Sequence, residues 1–168
     1  MSHPLVLALF DDPAAAATAA RDLRTLGVAR EGVSIVARSH DEEGVIARAS
    51  GASPGSELED SEPASRLGEL GAHLLAAIAL VMPGIGPIVA DGPLAAGLGE
   101  AAGHLAGGMA GTLERAGLAR ADAQHWESQI RAGAFLVGAH VQPGGVDGAR
   151  DVLAQAGGRE VTVGSWWD

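Results

Sequence analysis

Two Glu–His pairs are the residues of this sequence best spaced to do chemistry together. Glu69 with His73, and Glu100 with His104, are each four residues apart, which on a helix puts both side chains of a pair on one face. If the two segments fold back on each other around Pro83-Gly84-Ile85-Gly86-Pro87, the four side chains fall at similar heights. Carboxylate plus imidazole is the ligand set of a non-haem iron, manganese or zinc site built between facing helices. The bundle di-metal signature is Glu-x-x-His, however, and the spacing here is one residue longer. The competing reading is a pair of exposed Glu–His turns adding roughly a few tenths of a kcal/mol each. Glu69, His73, Glu100 and His104 are therefore a candidate metal set, and the expectation is that no metal or cofactor is bound.

The other polar candidates are blander. His125 lies beside Trp126 in a polar helix, and His140 sits in a strand, where a satisfied, partly buried histidine is commoner than a ligand. Gly84-Ile85-Gly86-Pro87 resembles the start of a phosphate loop, but it follows a helical pattern and Pro87 removes a donor that a phosphate needs. No serine lies in a nucleophile-elbow setting. The pair Trp166-Trp167 is expected to dock on the sheet or on a partner subunit.

Gly99, Gly103, Gly107 and Gly111 form the sharpest pattern, each four residues after the last. On one continuous helix they line one side, where missing side chains let a second backbone approach. Each glycine costs about 0.5–1 kcal/mol of helix stability relative to alanine, which close packing must offset. Gly68, Ala72 and Ala76 are the expected opposite numbers in a helical hairpin. The alternative is base-biased glycine in a loosely ordered segment.

Composition closes several routes. The 168 residues include no lysine, cysteine or tyrosine, so Schiff-base lysines, cysteine nucleophiles, thiolate metal ligands and disulfides are excluded. A net charge of −10 with scattered arginines disfavours nucleic acid and anionic lipid. The first residues lack the basic and apolar regions of a secretory signal, so the expected location is cytoplasmic. Membrane insertion is disfavoured too. A helix from Leu70 to Met82 would span only about 20 Å, short of a hydrocarbon core of about 30 Å, and the next helix puts Glu100 and His104 mid-span.

The elements that must position these residues repeat at the two ends. Leu5-Val6-Leu7-Ala8-Leu9-Phe10, then Pro13, Ala20-Arg21-Asp22-Leu23 and Gly27, is matched by the apolar run 134–141, Pro143, Ala149-Arg150-Asp151-Val152 and Gly157. Each reads as strand, proline-started helix, second strand, with Val33-Ser34-Ile35-Val36-Ala37 closing the first unit and 160–163 the second. Between them the spacing of Leu67, Leu70, Leu74, Ile78 and Val81 predicts a helix, the proline pair a break, residues 91–117 a second long helix and 120–131 a third. One domain over 1–168 follows, with a first β-α-β half at 1–38, an acidic linker at 39–63, a helical insertion at 64–133 and a second half at 134–168. The expected fold class is α+β: a ferredoxin-like split β-α-β sandwich, with a four-stranded antiparallel sheet and a helical hairpin inserted between strands two and three. The sheet's second face would stay open unless the insertion or another subunit covers it.

The strand ending in Phe10-Asp11-Asp12, the Pro83-to-Pro87 break, the small-residue helix from Pro93, and the strand at 133–141 after His125-Trp126 together resemble the general stress protein family of bacteria. These heat-inducible proteins have a Gly/Ala-rich middle and no settled catalytic activity. The resemblance covers most of the chain except the acidic linker and the Trp166-Trp167 tail. It implies stress association and transfers no active-site residues. The expected function is thus a non-enzymatic, stress-associated soluble protein that self-associates, a dimer being favoured, through its small-residue hairpin. The alternatives are a metal- or small-molecule-binding enzyme with a site in or near the insertion, and a membrane-associated hairpin protein.

Overall fold

The computed structural model describes residues 1–38, 78–82, 84–103 and 107–167. The matching ends form as their sequences dictate. Strand β1 (Ser2–Phe10) is buried from Leu5 to Phe10, as an all-apolar strand covered on both faces must be. Helix α1 (Pro13–Leu26) starts where Asp12 accepts the Ala14 N–H (3.1 Å) and stops at Gly27, whose φ of 107° lets its N–H reach back to the Arg24 carbonyl. Strand β2 (Val33–Arg38) completes the first unit. In the second, β5 (Phe135–His140) leads through a short 3-10 turn at Pro143–Gly145 into α5 (Val146–Gln155), followed by β6 (Arg159–Trp167). Strand β6 runs past the expected 160–163 and carries both terminal tryptophans.

The insertion departs from expectation in two places. Ile78–Met82 is a strand, β3, and not the end of a helix, and it pairs with β4 (Gly86–Asp91) from Ile78↔Ala90 to Met82↔Gly86. Pro83 cannot continue a helix, and Gly84 and Gly86 take positive φ (80° and 95°), so the break becomes the turn of a β-hairpin. The expected helical hairpin is replaced by this strand pair on the described side; Leu67, Leu70 and Leu74 lie outside the described residues. The long helix over 91–117 is also two helices, α2 (Pro93–Gly103) and α3 (Gly108–Arg115), with Gly107 and Gly108 at φ of 101° and 50°. Helix α4 (Arg120–Arg131) forms as expected.

The result is an α+β protein with five helices among the described residues and an antiparallel six-stranded sheet in the order β3-β4-β2-β5-β1-β6. Six strands replace the four expected. Alternation along each strand divides the core into two layers. Val6, Ala8, Phe10, Ile35 and Val137 face α1 and α5, meeting Ala16, Ala20, Leu23, Ala149 and Leu153. Leu5, Leu7, Leu9, Val36, Ile88 and Leu136 face the other way, onto Leu94 and Leu98 of α2, Met109 and Leu113 of α3, and Trp126 and Ile130 of α4. The insertion therefore covers the second sheet face of its own chain. Among the described residues, no helix is long and apolar enough to cross a membrane.

Candidate functional site: a cleft beside a histidine–serine row

Side chains from four adjacent strands line up on the insertion side of the sheet. Trp166 of β6 pairs with His3 of β1. His140 of β5 lies diagonally across, since Leu5 pairs with His140, and Ser34 of β2 lies diagonally beyond it, since Ser34 pairs with Gly138. Diagonal same-face neighbours are within reach of long side chains. His3 Nε2 stands 2.9 Å from His140 Nδ1, and His140 Nε2 stands 3.0 Å from Ser34 Oγ. The Leu94 N–H donates to Ser34 Oγ at 3.1 Å. Ser34 thus caps α2 from a strand 60 residues away, satisfying one of the donors that a helix start leaves orphaned. Every group on this path is satisfied when the Ser34 hydroxyl donates to His140 Nε2 and His140 Nδ1–H donates to His3, an assignment made from the network itself.

The close approach of α2 to β2 depends on Gly92, whose φ is 79° and whose position leaves no room for a Cβ against the Val33 carbonyl and Ser34. A serine hydrogen-bonded to an imidazole is half of a nucleophile-activating arrangement. Ser34, however, is 0% exposed, and its oxygen is committed to the Leu94 N–H. No substrate carbonyl can reach it, so the row positions α2 instead of attacking anything.

At its outer end the row meets a cleft of about 690 Å³. Helix α2 contributes Pro93, Ala96, Gly97 and Glu100, α3 contributes Arg115, and β6 contributes Trp166 and Trp167. The Trp166 ring is edge-on to His140 (centroids 5.8 Å, 89°). A Cβ added at Gly97 would sit 2.8 Å from Trp166 Cη2, so only glycine there admits the indole in this position. Trp167 is 70% exposed. Arg115 donates through Nη2 to the Gly97 carbonyl (3.1 Å) and Thr112 Oγ1 (3.4 Å), while its Nη1 stands 3.6 Å from Glu100 Oε2. The ion pair is exposed, with side chains at 54% and 73%, and contributes little to stability.

The structure treats the sequence candidates unequally. Glu69, His73 and His104 lie outside the described residues, and Glu100 lines the cleft beside Arg115. Among the described residues no three histidine, aspartate or glutamate side chains converge to hold a metal. The glycine row does not share one continuous helix: Gly99 and Gly103 belong to α2, Gly107 lies at the break and Gly111 belongs to α3. A Cβ at Gly99 would make one ordinary contact, with Ile78 Cδ1 at 3.9 Å, and one at Gly111 would meet nothing within 4 Å. His125 contacts Glu160 at the surface (Nε2 to Oε1, 2.9 Å). His140 is the satisfied strand histidine that was expected, and Trp166 docks on the molecule's own sheet and α2.

His3, Ser34, Gly97 and Arg115 escaped the sequence reading. The signal for the first two lay in strand register, since the β1/β5 pairing sets His3 diagonally beside His140 and the β2/β5 pairing sets Ser34 diagonally beyond it. Gly97 stands outside the four-residue glycine spacing and gave no signal. Compared with family models, with curated proteins and with solved structures, the chain finds no match in any of the three.

Proposed function

We propose that this protein is a non-enzymatic binding module whose cleft between α2, α3 and the end of β6 takes a small planar ligand. The observation that carries this reading is the fixed Trp166 indole, seated over Gly97 and against His140, in a cleft of about 690 Å³. Ligand sites are typically concave, mainly apolar spaces of roughly 300–1,000 Å³ with a few convergent polar groups. The burial of Ser34 supports the non-enzymatic part. The strand order β2-β5-β1-β6, with α1 and α5 on one face, supports a ferredoxin-like core into which residues 39–133 are inserted. Association with bacterial stress responses rests on the sequence resemblance.

The test is titration of the intact protein with planar aromatic compounds, following the indole N–H resonances. Trp126 is buried under α4 and serves as an internal control. The signals of Trp166 and Trp167 should move while that of Trp126 stays. Equal movement of all three, or of none, would remove the reading.

A second reading, self-association, is favoured by β3. Among the described residues it is an edge strand with Val81 68% exposed, and a sheet edge is a template for another copy. Light scattering tests it: a dimer paired along β3 should revert to monomer with Val81→Lys. A mass unchanged by that substitution would exclude the edge as the interface.

A further inference from the structure

Resting on that reading of the cleft, we propose that its ligand class is an aromatic carboxylate, with Arg115 as the anchor for the carboxylate and Trp166 as the stacking wall. The wall follows from what fixes Trp166. The indole tip lies 2.8 Å from where a Cβ at Gly97 would sit, and the ring meets His140 in a T-shaped contact. Pro93 and Ala96 add small apolar surface beside it. An aromatic ring packs against such a surface by offset or edge contacts without first ordering the wall.

The anchor follows from how Arg115 is held. Its Nη2 is tied to the Gly97 carbonyl and Thr112 Oγ1, which orients the guanidinium against the turn of α2 on which the β6 indole rests. Its Nη1 is 3.6 Å from Glu100 Oε2, too long for a hydrogen bond. A ligand carboxylate can make at Nη1 a charge-assisted hydrogen bond shorter than the 3.6 Å contact there. Arg115 is also the less exposed member of that pair. The chain as a whole carries −10, so its general field favours cations. A preference for an anion in this cleft must therefore come from Arg115 locally, and Glu100 must weaken it by repulsion. These two opposed effects give the proposal a signature that apolar stacking alone lacks.

The experiment uses the intact protein and three probes sharing one ring system: naphthoate, naphthalenemethanol and naphthylmethylammonium, with affinities read from quenching of tryptophan fluorescence. Naphthoate should bind about 5-fold more tightly than the alcohol, as one partly exposed charge-assisted hydrogen bond allows. Arg115→Gln should remove that advantage and leave the alcohol within about 2-fold of its original affinity. Glu100→Gln should tighten naphthoate by about 3-fold, the size of one like charge a few ångströms away in a solvated setting. The Glu100 side chain is mostly exposed, so this second variant stays informative should Arg115→Gln fold poorly. Equal affinities for the three probes, preference for the ammonium, or weaker naphthoate binding by Glu100→Gln would overturn the carboxylate assignment while leaving the cleft as a binding site. Failure of all three probes to bind would overturn the cleft reading itself.

Discussion

The two helical layers that sandwich the sheet are anchored by different means. On the α1/α5 side, placement is local: Asp12 caps α1, Pro13 starts it, Gly27 ends it, and alanines let it lie close on β1 and β5. On the α2–α4 side, placement is borrowed from distant strands. The start of α2 is capped by Ser34 of β2, and its middle is fixed by Trp166 of β6. A layer held by its own caps needs nothing from elsewhere. A layer held by a row of side chains across four strands keeps an unfilled seam where that row reaches the surface, and the cleft lies in that seam.

This contrast can be broken by substitution, beginning with the heaviest anchor of the second layer. Trp126→Ala removes a fully buried indole and should cost about 3–5 kcal/mol, read as a lowered denaturation midpoint. A loss below about 1 kcal/mol would mean that α4 does not hold the layer down. Ser34→Ala comes next. It orphans the Leu94 N–H and deprives His140 of a partner inside the protein, at a cost of about 1–3 kcal/mol. Hydrogen exchange should quicken at the start of α2 and stay unchanged in α1; equal quickening in both layers would dissolve the distinction.

Asp12→Ala is the mirror experiment, a loss of about 1 kcal/mol from a local cap, with exchange enhanced in α1 alone. The smallest effect belongs to Gly111→Ala. Its Cβ would enter open space and should stabilise α3 by roughly 0.5–1 kcal/mol. Destabilisation there, accompanied by a change of mass in light scattering, would restore the glycine row as an interface between copies.

The same contrast explains what could be read from the sequence. The first layer and its strands were legible because their signals are local: an all-apolar run, a proline at a helix start, a glycine just past its end. Residues 78–82 were misread because Ile78 and Val81 continue a three-and-four spacing from Leu74, and a short apolar run cannot be told from a helix end by periodicity. Gly107 was placed inside one long helix because it continues the four-residue glycine spacing, whereas its positive φ and that of Gly108 make a break there. Of the candidate site, His140, Trp166, Trp167 and Glu100 drew attention, and Glu100 for a different chemistry. Arg115, Gly97 and Ser34 become a site through contacts between α2, α3, β2 and β6, which no local pattern encodes.

The most direct measurement is the affinity of naphthoate for Gly97→Leu beside the unsubstituted protein, with the melting temperature of each recorded. A side chain at position 97 must displace Trp166 and fill the cleft, so binding should weaken by at least about 10-fold, or 1.4 kcal/mol, while the protein remains folded. Unaltered affinity in a folded Gly97→Leu protein would contradict the cleft as the binding site.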